Sequence, residues 1–223
     1  MTNRLIPAAT LILLRDSSHG IDVLLLQRHK NAGFLPGYWV FPGGIIETQD
    51  KQQNIWLSAA NAACRETKEE CGLISTSAQL VPLSRWIAPD IAPKRFDTYF
   101  FVTDSYSGNV QPDDHEVSDF TWINARQAIN RHHQDCLPIL PPTLVHLHEI
   151  ATLSSTRQAI EHFRQRQAID FAPRAAFWQD RLVMLYEGDA GFETQDAGNT
   201  SSLNRCIQTG RIWEYRNNTG NRP

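Results

Sequence analysis

Short apolar runs broken by turn-forming residues open the chain. Ala8–Leu14 and Ile21–Arg28 are rich in Leu, Ile and Val, and Asp16-Ser-Ser-His-Gly20 between them has the composition of a turn, so the pair predicts a β-hairpin. A loop follows over 29–38, leading into Trp39-Val-Phe-Pro-Gly-Gly44, where paired glycines permit backbone angles closed to other residues. From Ile55 to Cys71 the composition shifts to Ala, Glu and Lys without Pro or Gly. Asn54 stands at the N-cap position and Gly72 at the C-terminal stop, which predicts a helix. Further β-rich stretches lie at Leu80–Leu83, Thr98–Val102 and Asp119–Ile123, and Asn124-Ala-Arg-Gln127 opens a second helix with capping-box spacing. Pro141 and Pro142 start a third helix through about Ala151, and Ser155–Arg166 reads as a fourth. Arg181–Tyr186, Leu203–Gln208 and Arg211–Tyr215 read as short strands, the last two a hairpin across Thr209-Gly210, before a frayed polar end at Asn217–Pro223.

Composition narrows the function classes. Of the 223 residues 41% are apolar, enough for a core and against disorder. No apolar run approaches the roughly 20 residues that cross a bilayer. Met1–Pro7 lacks the apolar stretch and cleavage site of a signal peptide, so a cytoplasmic chain with reduced cysteines and no membrane partner is expected. With 21 Lys+Arg against 24 Asp+Glu the net charge is −3, which argues against a nucleic acid polymer as partner. Any phosphate chemistry must be local.

The densest chemistry is Arg65-Glu-Thr-Lys-Glu-Glu-Cys-Gly-Leu73 at the end of the first helix. At about 100° per residue, Glu66, Glu69 and Glu70 share one face, and Ala59, Ala62 and Ala63 point the same way, so the face can press close to neighbouring backbone. Three converging carboxylates resist ionising together unless a cation sits between them. Hard oxygen ligands suit Mg²⁺ or Mn²⁺. A solvated Glu/Lys helix end fits the same string equally well, and an Arg65–Glu69 pair would have the weaker i,i+4 order. His29 stands alone, and 132/133 and 146/148 have the wrong helical spacing for a metal pair.

Following the Phe41-Pro-Gly-Gly44 turn, Arg65, Glu66, Glu69, Glu70 and Gly72 resemble the signature of the Nudix hydrolase family, Gly, a downstream acid, then Arg-Glu-x-x-Glu-Glu-x-Gly. Counting from Gly44, Asp50 stands where that family has Glu, with Glu47 as rival, and 14 residues separate Asp50 from Arg65 where the family has seven. Leu25-Leu-Gln-Arg28, Gly37 and Phe41-Pro-Gly-Gly44 resemble the added motif of the coenzyme A diphosphatase branch, although Gln27 and Gly33 depart from it. Arg85-Trp-Ile-Ala-Pro89 and Lys94–Phe101 are similar to a later segment of the peroxisomal-type members and their bacterial relatives, which carry the same kind of insertion.

This resemblance implies an α+β protein: a Nudix-type α/β/α sandwich with a mixed sheet over 1–140, and a helical and short-strand extension over 141–223 that caps the site, dimerises or packs on the sheet. It implies Glu66, Glu69 and Glu70 as ligands of Mg²⁺ or Mn²⁺; Glu69 or Glu116 as base; Arg65 as a further catalytic group; and Arg28, Arg95, Phe41, Gly43 and Gly44 as substrate contacts. For Trp39, Trp86 and Phe96 a place in the core competes with ligand stacking. The implied reaction is hydrolysis of a phosphoanhydride in a small nucleotide, coenzyme A or its acyl esters giving 3′,5′-ADP and 4′-phosphopantetheine. ADP-ribose, NADH and dinucleotides are the rival substrates, and a non-catalytic nucleotide-binding regulator is the rival class.

Overall fold

The computed structural model describes residues 4–113 and 115–220. The hairpin forms as predicted from β1 (Ile6–Ser17) and β2 (Gly20–Arg28), paired antiparallel. The other edge of β1 runs parallel to β6 (Phe96–Thr103), and β6 pairs antiparallel with β5 (Val81–Ile87). Two short strands, β3 (Trp39–Val40) and β4 (Gly43–Ile45), flank the glycine turn; β7 (Val117–Asn124) pairs with β2. The sheet is therefore mixed.

Side chains alternate across a strand, and the central strands are apolar on both faces. Ala9, Leu11, Leu13, Leu24, Leu26, Tyr99 and Phe101 face helix α1 (Ile55–Cys71), with Ala59, Ala62 and Ala63 fully buried against them. Ile12, Leu14, Val23, Leu25, Phe100 and Val102 face the opposite layer, made by α2 (Ala125–His133), α3 (Pro141–Ile150) and α4 (Thr156–Arg164). That two-sided burial is why Leu11–Leu14 reads as an unbroken apolar run. Asn124 caps α2, with its side chain accepting the Arg126 N–H.

The segment after 140 packs its helices on the main sheet. Leu144, Leu147, Ile160 and Phe163 lie in the same core as Ile12 and Val102. β8 (Ile169–Phe171), absent from the sequence reading, adds a parallel strand to β5. Beyond it β9 (Arg174–Trp178), β10 (Arg181–Leu185), β11 (Asn204–Thr209) and β12 (Ile212–Asn217) form a second, antiparallel sheet, with the expected β11–β12 hairpin. Of the polar end, 221–223 lie outside the described residues, while Asn217 closes β12. Among the described residues no helix is long and apolar enough to cross a membrane.

Several histidines are structural. His146 is buried between the sheet and α3, its Nε2 2.9 Å from Ser84 Oγ and 3.2 Å from Trp86 Nε1. Burial, with the Arg166 charge adding, pushes it down to about 3. Below pH 6.5 the unfolded chain takes up a proton that the folded chain refuses, so stability falls with acid by up to about 1.4 kcal/mol per pH unit. His146→Gln should flatten urea-melt stability between pH 6.5 and 4; a slope unchanged from wild type would show that other groups set it.

Candidate active site

Helix α1 is delimited by its ends. The Asn54 side chain accepts the Leu57 N–H at 2.9 Å, and Gly72 terminates the helix at φ 73°. Its alanine face lets it approach β1 and β4 closely enough for side chain to meet main chain. The Gly43 N–H donates to Glu70 Oε2 at 2.9 Å. A Cβ on Gly44 would overlap the Glu66 carboxylate, and one on Gly43 would overlap the Ala9 carbonyl. Both glycines are thus needed for close approach. Gly44→Ala should displace the Glu66 carboxylate and lower kcat/KM about 10–100-fold, the scale on which supporting groups act, with the melting temperature nearly unchanged.

Glu70 is only 5% exposed. Burial, reinforced by the charges of Glu66 and Glu116, drives its carboxyl up to about 8, against the opposing effects of the Gly43 bond and the Arg28 charge. Glu66 is also raised, mainly by burial, although Arg65 bonds one of its oxygens at 2.8 Å. Two carboxylates, Glu70 buried and Glu66 partly buried, therefore converge against the glycine turn. Glu69 lies outside this pair; its side chain is 56% exposed and accepts from Arg65 at 2.9 Å. Among the described residues no three acidic, His or Cys groups stand in a ready geometry for a metal. Of the three glutamates expected as ligands, Glu66 and Glu70 thus lie against the glycine turn and Glu69 at their border.

The donor set fits a hard divalent cation. Carboxylate oxygens are its preferred ligands, and Glu66 and Glu70 bring two carboxylates together against the glycine turn.

Arg65 is the clasp of this cluster. Its Nε and Nη2 bind both oxygens of Asp50 at 3.1 and 2.9 Å, Nη1 reaches Glu66 and Glu69, and Nη2 also donates to the Ile45 carbonyl. Each of these contacts orients an acid or the β4 strand. The acid that takes Arg65 is Asp50, buried to 4% exposure, and Glu47 is exposed, its N–H capping Asp50 Oδ2 at 2.8 Å. Residues 51–64, twice the length the signature allows, form a short loop and then the opening turns of α1.

Arg28 ends β2 beside the pair. Its Nε donates to the Phe34 carbonyl at 2.9 Å, and its guanidinium lies 3.9 Å from Glu116. Glu116 is exposed, at the start of β7, and its charge bears on both Glu66 and Glu70. Its placement depends on Asp113, which the sequence reading missed. The Asp113 N–H donates to the Glu70 carbonyl at 3.2 Å, and its Oδ1 accepts the N–H groups of His115, Glu116 and Val117. An acid after Pro112 and before a strand is the pattern of a local side-chain turn, and that pattern could have found it.

Two of the expected substrate contacts, Phe41 and Arg95, lie in different settings. Phe41 is 3% exposed within the main core, where it anchors the turn from below. Arg95 binds the exposed Asp90 at 2.8 Å and the Ala88 carbonyl at 3.1 Å, on the rim formed by the β5–β6 connection. Trp39 and Trp86 are buried core residues, and Phe96 is partly buried against Phe34.

A family model described as the NUDIX domain matches residues 5–141. Nudix hydrolase 7 of Caenorhabditis elegans is 21% identical, covering 82% of this chain and 72% of its own, so that similarity runs beyond residue 141. Among solved structures, a NUDIX hydrolase from Alicyclobacillus acidocaldarius superposes with a TM-score of 0.67 at 23% identity, covering 72% of this chain and 97% of its own. The NUDIX domain of Shewanella oneidensis NrtR, solved with ADP ribose, gives 0.50 at 19% identity, over 71% of this chain and 88% of its own. With its α1 carboxylates laid against the glycine turn and the family model covering more than half its length, the chain belongs to the Nudix hydrolase family, a class of pyrophosphohydrolases.

Proposed function

We propose that this enzyme hydrolyses the diphosphate of coenzyme A or its acyl esters, giving 3′,5′-ADP and (acyl-)4′-phosphopantetheine, with Glu66 and Glu70 holding Mg²⁺ or Mn²⁺ and Glu69 at the border of the set. One observation carries the choice of substrate. The loop between Arg28 and Gly37, two residues of the motif that resembles the coenzyme A diphosphatase branch, meets the Lys94–Phe101 segment that resembles its peroxisomal-type members, the Phe34 and Phe96 rings lying 5.4 Å apart. Arg28, which donates to the Phe34 carbonyl, and Arg95, next to Phe96 in sequence, thus lie on the two segments that meet, and a ligand with separate diphosphate and 3′-phosphate groups calls for two such cations.

A bound divalent cation supplies Lewis acidity and neutralises charge at the phosphate oxygens. This chain's own residues do the rest. Arg28 pairs with a phosphate oxygen, the Gly43 N–H keeps Glu70 oriented, and Arg65 keeps Glu66 from turning away. Glu116 takes the proton from the attacking water. It is exposed and only loosely paired with Arg28, at 3.9 Å, whereas Glu69 is bound to Arg65 at 2.9 Å.

The test is to incubate purified protein with Mg²⁺ or Mn²⁺ and a panel of coenzyme A, acyl-coenzyme A, ADP-ribose, NADH and diadenosine polyphosphates, identifying products by mass. Cleavage of coenzyme A or its esters ahead of the others is expected. Cleavage of ADP-ribose with none of coenzyme A would overturn the reading; binding without turnover of any compound would leave a regulator.

A further inference from the structure

A cavity of about 380 Å³ lies where four parts of the chain meet. Phe34 comes from the Arg28 loop, Trp86 and Phe96 from the main sheet, Pro141 from the start of α3, and Met184 and Trp213 from the second sheet. Its volume is within the range of small-molecule sites. Lys94 is the one charged side chain on its wall among the described residues. A cavity with such walls recognises hydrocarbon and gives a phosphate or a base little to bond to.

Its position relative to the carboxylates follows from Phe34. The Phe34 carbonyl holds Arg28, whose charge acts on Glu70, while the Phe34 ring lines the cavity and packs on Phe96. One loop residue therefore joins the anionic end of the site to the apolar one. The second sheet accounts for the far wall, which gives the segment beyond residue 170 a task that the catalytic carboxylates do not explain.

We propose that this cavity receives the acyl chain of a thioester substrate, and that Met184 and Trp213 of the second sheet set the chain length accepted. The inference rests on the coenzyme A reading and adds to it a selective element outside the catalytic helix. A chain drawn into the cavity leaves water, and each buried methylene should lower KM about fourfold until the cavity is full. A substrate without the chain gains nothing from these walls.

The experiment compares KM for coenzyme A and its acetyl, butyryl, hexanoyl, octanoyl and dodecanoyl esters. KM should fall stepwise over the short and middle lengths and then level off. Met184→Trp, which fills the cavity, should shrink the octanoyl-over-acetyl ratio at least tenfold. Phe34→Ala, a substitution in a half-buried loop that endangers folding less, should shrink it severalfold. Coenzyme A cleavage with KM independent of chain length overturns the cavity assignment and leaves the substrate reading intact. If no coenzyme A compound is cleaved, the substrate reading fails, and calorimetry of octanoyl-coenzyme A against coenzyme A in EDTA then decides the cavity: tighter binding of the ester supports it, equal or absent binding overturns it.

Discussion

Replacing Glu70 with glutamine should reduce kcat/KM at least a hundredfold with the fold intact. The amide keeps an oxygen to accept the Gly43 N–H, and it occupies the same buried space, so local structure has little reason to change. Only the charge is lost. A carboxylate that helps hold a catalytic cation contributes to several kcal/mol of charge stabilisation, and each 1.4 kcal/mol is a factor of ten in rate. Glu69→Gln should cost less than tenfold, because that side chain is exposed and serves Arg65 more than the pair at the glycine turn. Steady-state kinetics over a Mg²⁺ and Mn²⁺ titration, with thermal melts as the control for folding, separates the two. A Glu70→Gln enzyme within fivefold of wild type would remove Glu70 from the metal site.

This contrast between neighbouring glutamates marks how far the sequence could be read. Helical geometry placed Glu66, Glu69 and Glu70 on one face, but which of them is buried depends on the glycine turn lying over Glu66 and Glu70, a contact 27 residues distant in the chain for Gly43 and Glu70. The hairpin, α1 and its two caps were legible because each is decided by local composition and a short period. The core setting of Phe41 was not legible, because a turn motif does not say which side of the sheet its aromatic faces. Glu116 was identifiable as a candidate, yet its position beside Glu70 depends on Asp113 bonding both its own loop and the end of α1. β8 was invisible, since three residues pairing in parallel with distant β5 leave no periodic trace. The second sheet was half visible: its hairpin has a turn signature, whereas its buried Asp189–Arg205 pair joins residues that no local pattern connects.

Arg65 to methionine should be the most damaging single change to stability around the site. Asp50 is buried and both its oxygens are taken by that guanidinium, so the substitution strands a carboxylate away from water. Breaking such a pair from one side costs about 3–5 kcal/mol, a large share of a typical domain's stability. Lysine should not rescue it. One ammonium cannot reach Asp50, Glu66, Glu69 and the Ile45 carbonyl together, as the planar fork of arginine does. Removing both partners, as Arg65→Met with Asp50→Leu, eliminates the stranded charge and should recover much of the lost stability in urea melts. Activity should stay low in the double variant, because Glu66 and Glu69 are still released from their orientation. Stability recovering without activity is the pattern a positioning residue produces. If both recovered together, Arg65 would be acting only through Asp50, and its bonds to the glutamates would be incidental to catalysis.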